Sequence, residues 1–131
     1  MARTASTAPT EAEMSILVVL WERGPSTVRT VHEQLHHQRE TGYTTTLKHM
    51  QIMLDKGWLR RDESTRSHVY EAAVSRTQVQ NQMAGRLIDS VFSGSAGGLI
   101  QRVLSSRRPS SNELEEIQRF LDEAKRRSGR Q

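Results

Sequence analysis

The stretch Gly42 to Gly57, reading GYTTTLKHMQIMLDKG, leaves the chain the fewest choices. Leu47, Met50, Met53 and Leu54 recur at three and four residues, which predicts a helix over 44–56 with one side in a core. Thr45, Lys48, His49, Gln51 and Asp55 fall on the other side. Short donors and acceptors beside a cation are the mixture that meets base edges and phosphates in a major groove. Taken alone, Thr44, Thr45 and Thr46 fit a helix cap equally well, and an exposed Lys or Gln is ordinary helix surface. The neighbouring segments decide between these readings.

Upstream, Thr10 and Glu13 form a capping box for a helix whose Met14, Leu17, Val18, Leu20 and Trp21 make a broad apolar face. Trp21 reads as a core anchor. Gly24-Pro25 ends that helix, and Ser26 caps a second one, with Val28, Val31 and Leu35 inward, running to about Gln38. Arg39 to Gly42 is the turn into the third. Downstream, Gly57 stops the helix, and WLRRDESTRSHVYEA gives two short alternating runs around a polar turn. Trp58, Val69 and Tyr70 have the bulk to cover a core, while Arg60, Arg61 and Arg66 can reach phosphates or a minor groove. Helix, helix, helix and arginine-bearing hairpin is the order of a winged helix-turn-helix, with 44–56 entering the groove and 60–70 as the wing. The DNA-binding residues are then Thr44, Thr45, Lys48, His49, Gln51, Arg60, Arg61 and Arg66.

The character changes at Ser75, which caps a helix striped with Val79, Met83, Leu87, Ile88, Val91 and Phe92. Ser93-Gly94 interrupts it. A short apolar segment containing Leu99 and Val103 follows, Arg107-Arg108-Pro109 breaks the chain, and Ser110 with Glu113 opens a last helix carrying Leu114, Ile117, Leu121 and Ala124. These helices are amphipathic but hold no bulky core of their own. Hydrophobic residues are only 34% of the 131 and aromatics 5%, lean for a monomer. A second copy is the expected cover, with Val79, Met83, Leu87, Ile88, Val91, Leu99, Val103, Leu114, Ile117 and Leu121 at the dimer interface. The organisation is therefore an arm over 1–9, a winged-helix domain over 10–74, a helical dimerisation domain over 75–127 and a basic tail over 128–131. The fold class is mainly α with a small β-hairpin.

Charge narrows the function less than it first promises. The net value is +4, but Met1 to Val74 holds nine Lys/Arg against nine Asp/Glu, and Ser75 to Gln131 holds ten against six. DNA binding must rest on where particular cations point. With no cysteine, disulfides and thiolate metal sites are excluded. His32 and His36 stand one turn apart, with Glu33 and His37 on the same helix and no further ligand near; solvated histidines are the expectation, and no metal or other cofactor is assigned. No Gly-rich phosphate loop, HExxH or Ser-His-Asp set can be assembled, so no catalytic residue is assigned and an enzyme is not expected. No apolar run reaches bilayer length and MARTASTAPT lacks a signal-peptide centre, which predicts a cytoplasmic protein without membrane insertion.

The order of residues resembles the BlaI/MecI/CopY family of bacterial penicillinase-type repressors. The resemblance is carried by TEAEMSILVVLWERGPSTVRTVHEQL, YTTTLKHMQIMLDKGWLRR, the RSHVY of the wing, SGSAGGLIQRVL and PSSNELEEIQRFLDE. It implies a homodimeric repressor of transcription on a palindromic double-stranded DNA operator, paired with a membrane sensor-protease that clips the dimerisation half. Arg102-Val103 stand where clipped relatives carry Asn-Phe, and the cysteine metal motif of the copper-responsive branch is absent. The competing expectation is a winged-helix protein-protein interaction module, which the neutral first half keeps open.

Overall fold

The computed structural model describes residues 8–37 and 40–129. The arm over 1–9, the turn beginning at Arg39 and the tail over 128–131 therefore fall wholly or partly outside the described residues. The chain divides into two compact units, Met1–Gly85 and Arg86–Gln131.

In the first unit, α1 (Glu11–Arg23) opens on the expected capping box. Glu13 N–H donates to Thr10 Oγ1 at 3.1 Å, and Thr10 N–H donates to Glu13 Oε1 at 3.0 Å. The inward stripe of α1 is Glu13, Ile16, Leu17 and Leu20, with Val19 beside it; Met14 and Val18 are only half-buried. After α1, Ser26 does not cap α2 (Val28–His36). Thr27 does, its side chain accepting from Thr30 N–H, because the Ser26 backbone is taken by Tyr70 of the hairpin in a two-bond antiparallel bridge of 2.9 and 2.8 Å.

The third helix, α3 (Tyr43–Lys56), starts at an uncapped Gly42, so the three threonines lie inside its first turns instead of closing its end. Thr46 is fully buried with Met50 and Met53. Gly57 adopts φ 88°, and its N–H and that of Trp58 return to the carbonyls of Leu54 and Met53; glycine reaches this left-handed conformation without Cβ strain. The hairpin pairs β1 (Leu59–Asp62) antiparallel with β2 (Val69–Ala72), Arg60 opposite Glu71 and Arg61 opposite Tyr70. Trp58, Leu59 and Tyr70 fill the core under α1 and α3. The architecture is mainly helical with one two-stranded antiparallel sheet.

The first unit continues past the change of character at Ser75 into α4 (Arg76–Val91). Ser75 and Gln78 cap it reciprocally, the Trp21 indole donates to the Val74 carbonyl at 2.9 Å, and the Arg76 guanidinium lies 5.3 Å from the Trp21 ring centre. Val79, expected between two copies, is 2% exposed within the core of the first unit. It has no surface left to offer a partner.

In the second unit the end of α4 passes through Ser93 (φ 50°) and Gly94 (φ 84°) to α5 (Ala96–Ser106), capped by Ser95, and then to α6 (Ser111–Ser128), capped by Ser110. No described residue from Arg86 to Gly129 is buried.

One acid lies where the α1 stripe calls for an apolar side chain. Burial pushes the Glu13 carboxyl up, but the Thr10 amide and hydroxyl and the Lys56 ammonium outweigh it and hold its pKa below the ordinary 4.5. Lys56 Nζ, on the last turn of α3, donates to Glu13 Oε2 at 3.0 Å. A carboxyl whose pKa is lowered by folding stabilises the fold above its unfolded value and loses that contribution as pH falls through the folded one. Glu13→Gln should therefore cost roughly 1–2 kcal/mol at pH 7, less than a fully buried pair because Lys56 is partly in water. It should also flatten the loss of stability below pH 4.5, both read from urea midpoints across pH. An unshifted midpoint at pH 7 would mean the pair contributes nothing net.

Candidate nucleic-acid interface

At roughly 100° per residue, a core side of Thr46, Met50 and Met53 leaves Thr44, Lys48 and Gln51 pointing straight away from the protein, and all three are exposed. Thr45 is exposed beside them. His49 is half-buried and lines a depression with Ser15, Ile16, Leu35, Thr45 and Thr46. It sits on the flank of α3 nearer α1 and α2, off the outermost line.

The other flank of α3 meets the wing. Arg29, Tyr43, Leu47, Arg66, Ser67 and His68 line a groove of about 350 Å³ that Thr27, Val28 and Tyr70 close. The Arg29 guanidinium lies 5.7 Å from the Tyr43 ring centre, and the His32 ring meets Tyr43 edge-on at 5.7 Å. His32 is thus packed against an aromatic ring and half-buried, contrary to the expected solvated pair; its Nδ1 is buried without a hydrogen-bond partner. Among the described residues no group of three metal-ligating side chains forms.

The three wing arginines separate. Arg66 lies exposed in the hairpin turn, which Asp62 shapes by accepting from Ser64 N–H at 2.9 Å. That bond from the Ser64 backbone lowers the Asp62 pKa. Arg61 is held within the wing: its guanidinium donates to Tyr70 Oη at 3.4 Å and to Glu63 at 2.7 Å, and these two bonds raise its pKa. Arg60 departs furthest from expectation. It pairs with its cross-strand neighbour Glu71 at 3.0 Å and lines a depression with Leu20, Trp21, Pro25, Val74 and Gln78, where no α3 residue is present. Strand alternation sends adjacent side chains to opposite faces, so Arg60 and Arg61 could not both face the groove.

Arg29 and Tyr43, which no sequence pattern singles out, and His68 of the wing lie with Arg66 along this groove. Arg29 lies two residues after the Thr27 cap, and Tyr43 directly precedes the three threonines; neither belongs to an apolar stripe. Arg29, Lys48 and Arg66 have no carboxylate partner among the described residues. Free cations, threonine hydroxyls and amide ends on one side of a helix-turn-helix can bind a polyanion's phosphates and read its base edges.

Known proteins resemble this chain in sequence and in fold. The transcriptional regulator BlaI of Mycobacterium tuberculosis, from strains CDC 1551 / Oshkosh and ATCC 25618 / H37Rv, is 28% identical over 116 residues, covering 86% of this chain and 82% of the relative. The solution structure of the DNA binding domain of the repressor BlaI superposes with a TM-score of 0.51 over 59% of this chain and 92% of that one, at 18% identity, which supports the winged-helix fold. The family model described as penicillinase repressor matches residues 9–123. The chain belongs to the penicillinase repressor family, the BlaI/MecI/CopY group of transcriptional repressors, and is not an enzyme.

Proposed function

We propose that the chain represses transcription from the cytoplasm as a homodimer on a palindromic double-stranded operator, each copy laying α3 in a major groove and Arg66 on the flanking backbone. The observation that carries this reading is the second unit. Leu87, Val91, Val103, Leu114, Phe120 and Leu121 are all exposed there, and nothing in the single chain buries them. Apolar surface on this scale is covered in solution, and a symmetric second copy covers it with the same residues. Two copies place two α3 helices on half-sites about one turn, roughly 34 Å, apart.

Ile88, Leu99 and Ile117 lie half-buried along the same helices, and Met83 is exposed at the end of the first unit. Val79 drops out of this interface, and Ile100, Leu104 and Phe120, all exposed, enter it. Release follows from anything that separates the copies. A cut within α5 by a membrane sensor-protease is the route the family resemblance supplies; with Arg102-Val103 in place of Asn-Phe, it calls for a protease of different specificity or for another signal.

Two experiments test this. Phe120→Glu with Leu121→Glu should convert the dimer to a single chain in sedimentation equilibrium and reduce operator affinity by more than tenfold, since two linked half-sites bind far more tightly than one. A wild-type chain that sediments alone at micromolar concentration would remove the dimer. In gel-shift titrations across salt, Lys48→Ala, Arg29→Ala and Arg66→Ala should each lower the salt slope by about one. Arg60→Ala should leave the slope unchanged, because its charge is already spent on Glu71 away from α3; a drop of one there would return Arg60 to the interface.

A further inference from the structure

Ile52 breaks the polar character of the outward side of α3. Between residue 8 and Gln82 the large hydrophobic side chains exposed in the described chain are two, Tyr43 at 41% and Ile52 at 38%, and both belong to α3. Tyr43 is engaged by His32 and Arg29. Ile52 is not part of the core cluster, although Met50 and Met53 on either side of it are fully buried. It follows Thr45 and Lys48 at the i, i+3, i+7 spacing that makes one continuous ridge along a helix. A β-branched side chain there is stiff and presents two methyl-bearing branches to whatever the ridge enters.

The major groove offers such a side chain one apolar feature, the C5 methyl of thymine. We infer that Ile52 is a specificity-determining residue that packs on a thymine methyl of the operator, with Lys48 one turn earlier supplying the polar contact on the same ridge. The inference rests on the DNA-binding reading and adds to it a base identity. A hydrogen-bonding side chain rejects a wrong base by leaving a polar edge unpaired. Ile52 instead rejects cytosine, which lacks the methyl, and rejects a polar edge by desolvating it.

The test replaces thymine by deoxyuridine, which removes the methyl and keeps every hydrogen-bonding group. An operator is first selected from a random DNA pool with the full-length wild-type chain. Each thymine is then replaced singly and affinity is measured by gel-shift titration. Wild type should lose about fourfold at one thymine per half-site, the equivalent of about 0.8 kcal/mol for one buried methyl. Ile52→Ala, which keeps the helix because alanine is the better helix former, should bind the two duplexes equally. A flat deoxyuridine profile with wild type on a selected operator would overturn the Ile52 assignment alone, as would a sensitivity that survives in Ile52→Ala. Failure to select any sequence would overturn the DNA reading, and this inference with it.

Discussion

Two backbone hydrogen bonds between Ser26 and Tyr70 hold the wing against the turn joining α1 to α2. The groove beside α3 depends on them. An isolated two-stranded hairpin is marginal in water, and this one gains a third line of backbone pairing at Ser26 and an anchor in the buried Tyr70 ring. Because Thr27 then caps α2 and Arg29 follows in its first turn, the same contact that fixes the wing also brings Arg29 and Tyr43 within reach of Arg66 and His68. Arg29 and Tyr43 stand far in sequence from each other and from the Arg66–His68 turn; one small bridge makes them a surface.

The Glu13–Lys56 pair does the corresponding work at the other end of α3. A buried carboxylate is costly unless its oxygens are fully engaged, and Glu13 meets that condition with one oxygen on Thr10 and the other on Lys56. α3 is thereby tied to α1 at its last turn. Such a pair contributes register more surely than energy, since an apolar isostere could fill the same place.

How much of this is legible in the sequence varies with the physics involved. Helix order, the stops at Gly24 and Gly57, the Thr10–Glu13 box and the apolar stripe of α3 follow from periodicity and local capping, which are written in adjacent residues. Membership of Tyr70 in a bridge with Ser26 was not legible, because it pairs residues 44 positions apart in sequence through backbone atoms that every residue possesses. The shift of the α1 stripe onto Glu13, Ile16 and Val19 is hidden for a related reason: a stripe containing an acid scores as polar until its distant lysine is found. Arg60 and Arg61 are adjacent on β1 and face opposite sides, which composition does not reveal, and Val79 packs in the first unit although its helix ends in the second.

The neutral balance of the first half also resolves once charges are located. Glu13, Glu22, Glu63 and Glu71 engage Lys56, Arg76, Arg61 and Arg60, all off the outermost line of α3. Of the described cations left without a carboxylate in this half, Arg29, Lys48 and Arg66 flank or occupy that line, and Arg23 lies off it at the end of α1. Within a Debye length of roughly 10 Å at 0.1 M salt, what a phosphate meets is this local set and not the sum over 74 residues. Net charge can therefore be zero over a domain that gathers Arg29, Lys48 and Arg66 on one side, with Asp55 the acid that α3 itself adds there, while four other acids neutralise cations elsewhere and so remove competing places for a polyanion to bind.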